Sequence, residues 1–123
     1  MIDSRLMDSS VWLAYLFNGQ YTDIIDSDEI FMLSVLSLFE IKRKLTRNGL
    51  SNIKLAKSID FIKKRSLIVP LSAEISEKAV DISIAHNLSA VDALIYATSL
   101  LHNASMMTLD NDFRGLKDVF VLD

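Results

Sequence analysis

The strongest constraint on the fold is an alternation. Short apolar runs at 5–8, 30–33, 67–71 and 104–109, with a further one at 119–122, are separated by longer stretches of helical character. Ser9 and Ser10 open a first helix that stops near Asn18-Gly19, and residues 21–27 hold a short second one. Ser34 precedes a helix over 35–47 that ends at Asn48-Gly49, and another spans 52–64. Pro70 closes the third run, and helices follow over 73–86 and 89–101. Serine is a good N-cap because its hydroxyl accepts from an otherwise orphaned helical N–H, while glycine tolerates the left-handed backbone that closes a helix. Strands alternating with helices predict an α/β fold, a parallel sheet with helices on both faces. In open sheets of this kind ligands bind outside the carboxyl ends of the strands, so the residues at those ends are the candidates for chemistry.

Composition narrows that chemistry. A chain of 123 residues, half of them hydrophobic, is expected to form a single domain over 1–123 with a sizeable core. The absence of cysteine excludes disulfides, thiol nucleophiles, Fe–S clusters and cysteine zinc sites, and it fits a reducing compartment. Two histidines and three glycines leave no His-ligated zinc motif, P-loop or dinucleotide fingerprint. His86 and His102 each precede an asparagine at an expected helix end, which suits a terminal role better than Ser-His-Asp hydrolysis. No run of apolar residues is long enough to span a bilayer. The opening MIDSRLMDSS lacks the basic-then-apolar pattern of a signal sequence, so a cytoplasmic location is expected.

The net charge of −3 argues against a general nucleic-acid binder, but its distribution says more. Residues 42–65 carry nine basic side chains and one acid, Asp60, for a local charge of +8, and the rest of the chain is −11. A basic block set into an acidic body can attract phosphate, while acids elsewhere collect cations. Within the block, Lys54, Lys57, Lys64 and Arg65 fall on one arc of their helix by the 3.6-residue period.

Four acids occupy strand ends or helix starts. Asp8 ends the first run, where it could also cap the following helix. Glu40 lies on the helix over 35–47; the period puts Val35, Leu38, Phe39, Ile41 and Leu45 on one face and Glu40 on the other, where it could pair with Lys44. Asp92 sits in the first turn of SAVDALIYATSLL, a stretch so apolar that it should be buried; a capping box with Ser89 would satisfy it. Asp110 follows the fourth run, with Asp112 two residues on, where Asx side chains often shape a turn. Brought to one rim, clustered carboxylates raise each other's pKa unless a cation compensates. Hard oxygen ligands without His or Cys select Mg²⁺ or Mn²⁺, and such ions polarise a phosphodiester and acidify a water.

These residues resemble the PIN-domain ribonucleases, most nearly the VapC-type toxins of toxin–antitoxin pairs. Leu6-Met7-Asp8-Ser9-Ser10-Val11 resembles the family's hydrophobic-hydrophobic-Asp-Thr-Ser opening, and Ser37-Leu38-Phe39-Glu40-Ile41 its mid-helix glutamate. Leu88 to Thr98 is similar to Leu-x-x-x-Asp-Ala-Leu-Ile-x-Ala-Thr, and Met107 to Phe113 to Thr-x-Asp-x-Asp-Phe. The matches run in family order over nearly the whole chain. The resemblance implies a three-layer α/β/α sandwich around a parallel sheet of four to five strands, and Mg²⁺- or Mn²⁺-dependent cleavage of RNA. It implies that Asp8, Glu40, Asp92 and Asp110 bind metal and position water, that Asp112 approaches a second ion, and that Ser10 and Thr108 are supporting hydroxyls. Arg43, Lys44, Arg47, Lys54 and Lys57 then read as a wall for the RNA backbone. A homodimer and a VapB-type antitoxin that blocks the site are also implied. Leu109 stands where the family often has a basic residue, and Asn103-Ala104 replaces its usual glycine before the fourth strand.

Other classes remain: a processing nuclease without a toxin role, a catalytically silent interaction module, or a receiver-like phospho-acceptor. The last needs an aspartate after the third strand, where this chain has Val69-Pro70-Leu71.

Overall fold

A computed structural model describes residues 4–122. Residues 1–3, which begin the stretch without a signal pattern, and residue 123 lie outside the described residues, and with them the two ends of the expected 1–123 domain. The elements alternate as expected: β1 (Ser4–Met7), α1 (Ser9–Asn18), α2 (Thr22–Ile25), β2 (Phe31–Ser34), α3 (Val35–Arg47), α4 (Asn52–Arg65), β3 (Ser66–Val69), α5 (Ala73–His86), α6 (Ala90–Leu101), β4 (Ala104–Thr108) and β5 (Val119–Val121). The five strands form one parallel sheet in the order β3-β2-β1-β4-β5.

Local chemistry sets the boundaries. Ser34, Ser51, Ser72 and Ser89 each accept a hydrogen bond from a first-turn N–H of α3, α4, α5 and α6 respectively. Gly19 ends α1 at φ 65°, a left-handed turn that sends its N–H back to the carbonyls of the last helical turn.

The period-2 alternation of the strands divides the core between two layers. Leu6 and Met106 face α5 and α6, packing with Ile75, Ala79, Ile82, Tyr96 and Ala97. Their neighbours Met7 and Met107 face the opposite layer, with Trp12 of α1, Ile41 and Leu45 of α3 and Ile62 of α4. Phe31 and Leu33 join this second cluster, while the intervening Met32 packs on the first. The result is a three-layer α/β/α sandwich. Trp12, Phe31 and Phe113 are almost completely buried, each worth about 1.5–3 kcal/mol in apolar burial. Among the described residues no single helix is long and apolar enough to cross a membrane; α5 and α6 together would be, but they meet at 116°.

Two expectations need correction. On α3 the buried residues are Ser37, Ile41 and Leu45, whereas Val35 and Phe39 are exposed. The apolar arc is wider than the surface the sheet can cover, so its far edge is left in solvent. Arg65 does not continue an exposed basic arc with Lys54, Lys57 and Lys64. Its guanidinium turns inward over the Phe61 ring and donates to the carbonyls of Ile25 and Ser27, satisfying the carboxyl end of α2.

Candidate active site

From β1 the chain moves outward to β2 and β3, then returns to lay β4 and β5 on the other side. The strand order therefore reverses at the β1–β4 pair, and a crevice opens at the carboxyl ends of those two strands. Asp8 follows β1 there, held against β4 by its backbone N–H, which donates to the Met107 carbonyl at 2.9 Å.

Asp8 is 5% exposed and tightly fixed. Its Oδ2 accepts from Ser10 Oγ and from Thr108 Oγ1, both at 2.8 Å. The Thr108 hydroxyl in turn accepts from the Asp110 N–H at 3.0 Å, and Ser10 Oγ accepts from the Leu109 N–H at 3.0 Å. Two of these four bonds, Thr108 to Asp8 and Leu109 to Ser10, tie the start of α1 to the end of β4 and the turn after it. Although Asp8 occupies the N-cap position of α1, its side chain makes no capping bond.

Asp92, Asp110 and Asp112 form the second part of the rim. Each offers a carboxylate oxygen, and the three oxygens lie within 4.8 Å of one another. Asp92 is carried by the first turn of α6, where Ser89 caps its N–H. Asp110 caps a short 3₁₀ turn, Asn111–Phe113, by accepting from the Asp112 N–H at 2.9 Å. Capping and turn roles therefore coexist with clustering here. A triad of oxygens at this spacing fits a hard divalent cation.

Glu40 comes from α3. It makes no ion pair with Lys44; its Oε1 accepts from Ser9 Oγ at 3.4 Å. Ser9, which the sequence marks only as a helix cap, is thus a neighbour of the site. Electrostatics join Glu40 to the rest. Burial raises its carboxyl above the ordinary range, and the charges of Asp8 and Asp92 push the same way, against Arg43. Asp92 is raised by burial and then by Asp110. Asp8 is raised by burial against the lowering effect of the Thr108 and Ser10 hydrogen bonds. Burial is the leading cause for all three carboxyls, and neighbouring carboxylate charge adds to it, a combination that a cation would relieve.

The basic residues divide. Arg43, Lys44 and Arg47 line a cavity of about 250 Å³ together with Ser9, Leu13 and Glu40. Lys54 and Lys57 are exposed on α4 and line neither that cavity nor the acidic rim.

A sequence model of the PIN domain matches residues 5–119. The chain belongs to the PIN-domain family. Comparison of this PIN domain with curated protein sequences gives no significant match. Its fold is similar to that of a toxin–antitoxin complex from Klebsiella pneumoniae, with a TM-score of 0.80 at 22% identity over 95% of this chain and 96% of that one. It is also similar to VapBC2 from Rickettsia felis bound to a DNA fragment from the promoter, with a TM-score of 0.76 at 12% identity over 94% and 95% of the two chains. VapC20 of Mycobacterium tuberculosis, described as a toxin that cleaves the sarcin–ricin loop, gives 0.69 at 20% identity over 93% and 95%. At these identities the likeness is one of fold.

Proposed function

We propose that this PIN domain is an Mg²⁺- or Mn²⁺-dependent endoribonuclease acting in the cytoplasm as the toxin of a VapBC-type pair. The observation that carries the reading is the acidic crevice: three carboxylate oxygens within 4.8 Å, beside two further carboxyls raised in pKa. The family match and the toxin folds at similar size support it.

Asp92, Asp110 and Asp112 would hold the cation, with Asp8 and Glu40 completing the negative charge around it. When bound, such an ion polarises the scissile phosphodiester and lowers the pKa of the attacking water. Ser10 and Thr108 fix the Asp8 carboxylate so that little reorganisation accompanies the reaction. Glu40, with its raised pKa, accepts the water proton at its carboxylate. Arg43, Lys44 and Arg47 hold the RNA backbone against the crevice, and Lys54 and Lys57 extend that basic surface along α4. Contacts of this kind position the strand without reading its sequence. A VapB-type antitoxin would inhibit by covering the crevice, and the toxin would work as a homodimer.

The test is RNA cleavage by the purified protein with Mn²⁺ or Mg²⁺, against Asp92→Asn and against chelator. Cleavage lost in both, with metal binding by calorimetry weakened in the variant, is the expected result. Undiminished cleavage by Asp92→Asn overturns the reading. Growth arrest on expression, relieved by the same substitution, distinguishes a toxin from a processing enzyme.

A further inference from the structure

Phe39 has no part in that mechanism, yet it stands next to it. The ring is 59% exposed on α3, and Val35 one turn earlier is 37% exposed. With Leu38 these side chains floor a groove of about 520 Å³ whose rim carries Lys42, Arg43 and Arg47 and no acid. The Arg43 guanidinium lies 5.5 Å from the centroid of the Phe39 ring. Arg43 and Arg47 also line the cavity that holds Ser9 and Glu40, so the two spaces share a wall.

The chemistry of the groove selects among occupants. A second copy of this chain laid on the same face would bring three like charges against three, an arrangement that costs affinity. A single-stranded nucleic acid has the matching pattern: a flat apolar face on every base and an anion at every link. A cationic side chain already resting on the ring adds the cation–π contribution that such sites use. Resting on the endoribonuclease reading, we propose that Phe39 and Arg43 form a stacking platform for an unpaired RNA base flanking the cut site, with Lys42 and Arg47 holding the adjoining phosphates. Every base has a π-face, so the platform selects unpaired over duplex RNA rather than one sequence over another.

The experiment places the substitutions in the Asp92→Asn background, so that binding is read without turnover. A fluorescein-labelled single-stranded RNA of mixed sequence is the probe, followed by anisotropy, with the same strand annealed to its complement as comparison. Phe39→Ala should weaken single-strand binding roughly tenfold, the scale of one missing base stack, and leave duplex binding nearly unchanged. Phe39→Trp should retain or tighten it. Phe39→Leu should lose as much as alanine, because it keeps apolar area without a π-face. Equal affinity for Phe39→Ala and its parent overturns the platform while leaving the nuclease reading intact, and so does full retention by Phe39→Leu. Loss of a dimer in light scattering without loss of RNA affinity overturns it in favour of a second copy. Loss of binding to an acidic antitoxin peptide alone does so in favour of that partner. Failure of the Asp92→Asn parent to bind any RNA sinks both readings.

Discussion

Asp8 and Asp112 stand at opposite extremes of the acidic rim. Asp8 is 5% exposed and is held by two hydroxyls contributed from both sides of the β1–β4 pair. Asp112 is exposed, and the hydrogen bond that it makes to Asp110 comes from its backbone N–H. One half of the rim is built by the fold whether or not a cation is bound. The other half is a set of carboxylates drawn within 4.8 Å, which repel one another until something positive joins them. A site of this design keeps a rigid anchor and an adjustable jaw, and substitutions in the two halves should fail in different ways.

The largest expected effect lies in the jaw. Asp92→Asn should reduce cleavage about a thousandfold, the equivalent of several kcal/mol of missing charge stabilisation, while thermal unfolding shows the metal-free fold intact or slightly stabilised. A large loss of stability instead would put Asp92 in the anchor. Thr108→Val tests the anchor itself. Thr108 is fully buried, and its hydroxyl serves both Asp8 and the Asp110 N–H, so the substitution should cost about 1–3 kcal/mol in denaturant unfolding. On the proposed mechanism cleavage should also fall roughly 10–100-fold, the usual scale when a hydrogen bond supporting a metal centre is removed.

The basic surface can be divided in the same way. Charge reversal at Arg43 and Arg47, which share a cavity with Glu40, should weaken RNA binding more than reversal at Lys54 and Lys57. Each phosphate that is no longer neutralised should lower the slope of log affinity against log salt by roughly one. Equal slopes for the two double variants would mean that the strand lies along α4 as much as along α3.

The smallest effect is on pH dependence. Asp8, Glu40 and Asp92 all have folded-state pKa values above the ordinary carboxylate range. Between the unfolded and folded values the native protein binds more protons than the unfolded chain, so metal-free stability falls as pH rises through that window and recovers as pH falls. Saturating Mg²⁺ should raise the melting temperature near neutrality and flatten this slope. A metal-free protein that gains stability with rising pH across the window would contradict it.

Much of this architecture is legible in the sequence. Serine caps and the Asn48-Gly49 stop mark the helix limits, and the apolar runs between them mark the strands. The carboxylates Asp8, Asp92 and Asp110 stand where a parallel sheet opens. What escapes is set by neighbours rather than by pattern. The helical period tells which α3 residues share an arc, but not that the sheet covers Ser37, Ile41 and Leu45 and leaves Phe39 out. It does not show that Arg65 is claimed by carbonyls at and just beyond a four-residue helix some forty positions earlier. Nor does it show that Ser9, rather than Lys44, meets Glu40. Each of these depends on which distant surface arrives, and no local signal carries that information.

The bond from Thr108 to Asp8 spans a sequence separation of 100 residues. Until β4 lies beside β1, Asp8 has the Ser10 hydroxyl alone and lacks both the Thr108 hydroxyl and the neighbouring carboxylate of Asp110. Assembly of the rim is therefore tied to one long-range strand pairing, and neither half of the chain carries a preformed version of it, whatever secondary structure it holds.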